Sequence, residues 1–242
     1  MQKYPLNIKQ SRGFTLVELL VIVATLALLG ATLLPSVGHL RAKAAQARCA
    51  NNMRILGVAW NMYINEHEGW LLPASFPATN VANLPEGYPT NAAQAGFWWS
   101  KLASYLPPEV FQDKYSVFAC PADVNPAKAV WGTNVLLHSY GYMDYFGYPY
   151  AGNPDKWPSS GSYGLHRRKN MKRPGTTPVL VEMVDSRKDS GMVVPAGGYG
   201  YAISTWMTFR HWGMGNVLFD DGHVEAVGIN HPTCNSKAPN FF

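Results

Sequence analysis

His211, Asp220, Asp221 and His223 fall close together late in the chain, and imidazole beside carboxylate is a pairing with chemical uses. Such groups can share a zinc ion, or pass a proton as general acid and base. The same residues also have a purely structural reading, in which His211 fixes a loop through hydrogen bonds and Asp221 makes a turn. Asp221-Gly222 supplies residues that accept the positive φ of a tight hairpin. Val217 and Phe219 before it, with Val224 and Val227 after it, outline two strands over 216–227. We adopt the structural reading and assign no metal; the set that could hold one is His211, Asp221 and His223.

A second chemically loaded residue is Glu18, the one ionisable side chain in the apolar run 14–34. At ~1.5 Å rise per residue that run is about 30 Å long as a helix, the thickness of a bilayer's hydrocarbon core. A carboxylate at the centre of such a helix costs up to about 2.5 to 3.5 kcal/mol and persists mostly where it has a partner. Were the chain cut between Gly13 and Phe14, Glu18 would stand about one helical turn from a new amine, and in a stack of subunits one chain's amine could neutralise the next chain's Glu18. The run is too long for the apolar part of an ordinary secretory signal. Lys3, Lys9 and Arg12 precede it with no acid among them, which predicts that end on the cytoplasmic side. The expectation is therefore a single-pass inner-membrane protein with its head in the periplasm or at the cell surface.

Basic leader, Gly13, Phe14, Glu18 and apolar helix together resemble the N-terminus of type IV prepilins and type II secretion pseudopilins. The resemblance implies cleavage after Gly13 by a prepilin peptidase and N-methylation of Phe14. It also places Pro35 where that family often kinks or unwinds its long helix, and implies assembly with other pilin or pseudopilin subunits on an inner-membrane platform. His211, then nine residues, then Asp221-Gly222 resembles the processing-associated C-terminal pattern of many prepilin-like proteins. Phe118-Ala-Cys-Pro and Asn51-Asn-Met-Arg-Ile-Leu-Gly look like further parts of it. Because Cys49 and Cys120 both lie in family-like segments, the resemblance favours them as a disulfide, leaving Cys234 free; three buried thiols are the alternative. No cofactor is assigned. The resemblance admits calcium in the head, since major secretion pseudopilins carry it there, although no dense Asp/Asn ligand loop is present.

The predicted elements follow from periodicity. Beyond Pro35 the helix resumes, with Leu40, Ala44, Ala47, Ala50, Met53, Leu56, Trp60 and Tyr63 at three- and four-residue spacing, until Gly69 and Pro73 end it. Residues 70–170 read as loops with small strands at 116–119 and 139–143. Apolar β-rich runs follow at 178–184 and 203–209, then the hairpin. The fold class is α+β: a long N-terminal helix packed on a small antiparallel sheet with long loops, divided into leader 1–13, assembly helix 14–35, soluble helix 36–68 and head 69–242. Trp98, Trp99, Trp131 and Trp157 could form a glycan platform, although such rings more often fill a core.

Charge excludes little beyond nucleic acid. The formal charge is +5, but without Lys3, Lys9 and Arg12 the chain has 17 basic against 15 acidic residues, so no nucleic-acid partner is expected. There is no Gly-x-Ser-x-Gly, phosphate loop, Cys-x-x-Cys or His-Glu-x-x-His, and no enzymatic activity is expected. The functional expectation is a structural subunit of a pilus-like or pseudopilus filament. A membrane-tethered head that binds a glycan or other surface ligand, without forming filaments, is the alternative.

Overall fold

The computed structural model describes residues 13–73, 75–76, 96–107, 116–131, 134–143, 146, 166–183 and 203–235. The chain divides into two compact units, Met1–Arg41 and Ala42–Phe242. Its longest element is helix α1, Leu16–Glu66.

The start of α1 is set by a reciprocal cap. Thr15 donates its N–H and Oγ1–H to Glu18 Oε2 at 2.9 and 2.8 Å, while the Glu18 N–H donates to Thr15 Oγ1 at 3.3 Å. This is a capping box, which satisfies backbone donors that a helix start otherwise leaves open. Glu18 therefore has a partner in its own chain, and the Thr-x-x-Glu spacing was the signal for it. At the other end, His67 N–H reaches Tyr63 O at 3.0 Å and Gly69 N–H reaches Ile64 O at 2.8 Å. Glu68 and Gly69 adopt φ of +52° and +84°, the left-handed step that closes many helices. The helix runs through residue 35, so Pro35 does not terminate it.

In the first unit the described apolar side chains of α1 are exposed, with Leu16 79%, Leu20 62% and Leu28 69%. The single-pass membrane expectation is corrected here: among the described residues, no helix is long and apolar enough to cross a membrane.

In the second unit α1 becomes core. Cys49, Met53, Leu56, Trp60 and Tyr63 recur at spacings of four and three and are buried, whereas Leu40, Ala44 and Ala47 are exposed, so the buried stripe begins later than its periodicity suggests. Two short antiparallel pairs join β1 (Ser75–Phe76) to β2 (Gly96–Phe97), and β3 (Ala127–Trp131) to β4 (Asn134–His138). Helix α2 (Trp98–Ala103) follows β2. The principal sheet has four antiparallel strands in the order β5 (Tyr140–Tyr142), β6 (Pro178–Glu182), β7 (Met214–Phe219) and β8 (Val224–Gly228), and a short α3 (Pro232–Asn235) comes after it. The fold is thus α+β, as expected.

Helix and sheet meet closely at Gly57, where a Cβ would lie 2.8 Å from Leu218 Cδ1. Beside this contact the Trp60 indole N–H donates to Tyr142 Oη at 3.0 Å, and Tyr142 donates to Leu72 O at 2.5 Å. Trp98 stacks on Tyr142 with ring centroids 5.5 Å apart. Large rings thus fill the interior, and the polar tips of Trp60 and Tyr142 find partners there.

Two predicted strands are not strands. Residues 116–119 form a turn, with Ala119 N–H on Ser116 O at 2.9 Å, because Ser116 Oγ turns back to accept the Phe118 N–H. Residues 203–205 form a 3-10 turn, with Trp206 N–H on Ile203 O at 3.0 Å, and only Met207 bridges to Met183.

Gly215 packs so closely that an added Cβ would meet the Thr208 backbone oxygen at 2.6 Å. Gly215→Ala is therefore expected to lower the unfolding free energy by about 1–3 kcal/mol, read by urea denaturation.

Candidate functional site

The chemically dense region of the second unit is built on a disulfide. Cys49 of α1 is bonded to Cys120, with Cα atoms 5.0 Å apart, and Cys234 is a buried free thiol. Cys120 is held from both sides: its N–H donates to Ser139 Oγ at 3.0 Å, and Asn52 of α1 donates to Ala119 O at 3.0 Å.

Against the disulfide lies a buried polar cluster. His211 Nε2 is 3.4 Å from Cys120 Sγ and 3.0 Å from Glu182 Oε1, an oxygen that also accepts from Asn216 Nδ2 at 2.8 Å. Arg210 lies between two carboxylates, with NH1 2.6 Å from Asp123 Oδ2 and Nε 3.9 Å from Glu182 Oε2, and its NH2 donates to Met183 O at 2.7 Å. Glu182, Asn216 and His211 are all at most 2% exposed. Strand β6 supplies Glu182, β7 supplies Asn216, and the segment before β7 supplies Arg210 and His211. Burying an ionised carboxylate unpaired is expensive, which is why a cation and two further polar groups converge on Glu182.

The local backbone explains the spacing of the His211 motif. His211 and Met214 exchange backbone hydrogen bonds of 3.0 Å around Trp212 and Gly213, at φ +56° and +77°, a tight two-residue turn that starts β7. At the other end Gly222, φ +93°, turns β7 into β8. Nine residues between His211 and Asp221 thus measure one strand with its turns.

That geometry corrects the candidate ligand set. Six residues of strand at ~3.4 Å each place His211 and Asp221 roughly 20 Å apart along β7, so the two do not share a site. Asp221 instead pairs with His223, Oδ1 to Nδ1 2.5 Å, on half-exposed side chains at the hairpin tip. Asp220 is buried beside it, and its Oδ1 accepts from Gly175 N–H at 2.8 Å and Thr177 N–H at 3.2 Å, tying the hairpin to the segment before β6. Arg168 completes the tie, donating to Asp220 O at 2.7 Å and to Asn61 Oδ1 of α1 at 2.8 Å.

Trp98 and Trp99 are buried and unavailable to stack on a sugar; the Trp131 side chain and Trp157 lie outside the described residues. Gly13 and Phe14 are exposed ahead of α1. Glu182, Arg210, Asp123 and Asn216 were missed in the sequence, although a carboxylate inside the apolar run 178–184 was a signal that a partner must exist. Comparison with protein-family models, with curated proteins and with solved structures finds no match to this chain.

Arg210→Met leaves Glu182 and Asp123 buried without their cation and is expected to lower stability by about 3–5 kcal/mol in urea denaturation. Desolvation pushes the Asp220 carboxyl up, against the pull of the Thr177 and Gly175 N–H groups. Its folded pKa therefore lies above its unfolded one. The contribution of the protonated acid is full below the unfolded value and lost as pH rises through the folded value. Asp220→Asn keeps an oxygen for Gly175 and Thr177, so its stability relative to wild type should increase as pH rises through the carboxylate range.

Proposed function

We propose that the chain is a structural subunit of a pilus-like or pseudopilus-type filament, processed after Gly13 by a prepilin peptidase and assembled through the N-terminal part of α1. The observation that carries this reading is the exposure of Phe14 and of nearly every apolar side chain over the first turns of α1, including Val17, Leu19 and Leu26. A contiguous apolar surface of this kind marks an interaction site. The occupant proposed is the same segment of a second copy, since like apolar helices pack on one another at close interaxial distance.

Glu18 supplies register. It is exposed at the start of α1, next to the bond that cleavage would break, and the new amine of Phe14 in one chain would pair with Glu18 of its neighbour. Exposed Gly13, where an added Cβ would meet nothing within 4 Å, leaves that bond open to a peptidase.

The capping box offers a competing role for Glu18, and two substitutions separate them. Glu18→Gln retains a capping side chain without the charge, whereas Glu18→Ala removes both. If pairing selects register, both variants lose filaments by negative-stain electron microscopy while cleavage after Gly13 proceeds. Normal filaments from Glu18→Gln would overturn the pairing role.

A further inference from the structure

Cys49 Sγ, Cys120 Sγ, Glu182 and His211 each offer one ligand atom, and these four atoms lie within 4.8 Å of one another, all from buried residues. We propose that, with the disulfide reduced, these four residues form a closed tetrahedral site for zinc, so that the same position holds either a covalent bond or a metal ion.

Two edges of the required tetrahedron already stand within a few tenths of an ångström of their zinc-bound lengths. With Zn–N and Zn–O near 2.0 Å, a tetrahedron has an N–O edge of about 3.3 Å, and with Zn–S near 2.3 Å an N–S edge of about 3.5 Å. The observed separations are 3.0 Å from His211 Nε2 to Glu182 Oε1 and 3.4 Å from His211 Nε2 to Cys120 Sγ. The remaining ligand atoms lie within 4.8 Å of one another, and the two sulfurs must part to about 3.8 Å. Two thiolates, an imidazole and a carboxylate are a donor set that suits zinc over magnesium or calcium, which prefer oxygen alone.

The surroundings are those of a ligand shell. Asn216 Nδ2 donates to the same Glu182 oxygen at 2.8 Å and would hold the carboxylate in place, as outer partners of metal ligands do. The other carboxylate oxygen, Oε2, is buried with no hydrogen-bond partner among the described residues and has only Arg210 Nε at 3.9 Å. Arg210 and Asp123 balance each other at 2.6 Å. Four protein ligands and full burial leave no open position, so the ion would be structural rather than catalytic.

The exchange balances. A dithiol supplies two electrons and two protons to the Cys49–Cys120 bond and is itself oxidised to a disulfide. Zinc then displaces the two thiol protons to solvent, while the imidazole carries its proton on Nδ1 and binds through Nε2. Exchange with a second disulfide, which takes up the two electrons and is reduced to its dithiol, releases the ion and restores the cross-link between α1 and the 116–123 segment.

The test uses the full chain, reduced with a water-soluble phosphine under argon and titrated with Co(II), then Zn(II). The expected result is one Co(II) per chain with a thiolate-to-cobalt charge-transfer band, displaced by one equivalent of zinc. The oxidised chain should show no such band, and the Cys234→Ser chain should show it unchanged. Cys49→Ser with Cys120→Ser abolishes the band, and His211→Ala weakens binding at least about tenfold. A reduced chain with native far-ultraviolet circular dichroism that takes up no Co(II) overturns the proposal, as does a band that survives in the double serine variant. A reduced chain that loses its native spectrum and does not regain it with zinc overturns it equally.

Discussion

Glu182, a carboxylate with no solvent exposure, constrains much of the described part of the second unit. It sits at the end of β6, in a run of otherwise apolar residues, where an unpaired charge would be intolerable. Arg210 and His211 must therefore come close, which fixes the segment entering β7, and Asn216 must point inward from β7 itself. Arg210 in turn draws in Asp123, three residues beyond Cys120, and so aligns the loop that the disulfide ties to α1. Helix, loop and sheet are held in mutual position by one polar knot as well as by aromatic packing around Trp60 and Tyr142. Such a knot adds little net stability relative to an apolar replacement, but removing a single member is costly, which favours one arrangement over its rivals.

The parts of the fold legible in the sequence are those governed by local rules. The long helix follows from an unbroken apolar run followed by three- and four-residue spacing. The β7–β8 hairpin follows from alternation around Asp221-Gly222. The Cys49–Cys120 bond was reachable only by resemblance, since spacing alone leaves three thiols with no ranking. Residues 203–209 have the β-rich apolar composition of a strand, yet Trp206 and Met207 turn back onto Ile203 O, a competition between local hydrogen bonds and sheet pairing that composition does not reveal. Glu182 and its partners were illegible for a different reason: His211 and Asn216 lie 29 and 34 residues away, so their convergence exists only after the sheet has formed.

His211 and Asp221 take the structural roles read from the sequence, one hydrogen-bonded and one at a turn. The spacing that admitted a shared metal site as the alternative measures a strand with a turn at either end. The histidine serves the buried knot and the aspartate serves the hairpin tip. Glu18 carries a similar lesson, because its reading as a charge in need of a distant partner overlooked Thr15, three residues away.

The two units divide the labour of α1. From Cys49 to Ile64 its apolar side chains are satisfied inside the head, and from Leu16 to Leu29 they are exposed in a lone chain. The proposal is that the same helix of neighbouring copies covers this apolar surface. Cryo-electron microscopy of the assembly formed by the chain after cleavage at Gly13 tests it most directly. Neighbouring copies should show their residue 14–31 helices packed at about 8–10 Å between axes. An assembly in which only the heads touch, with those helices apart, would contradict it.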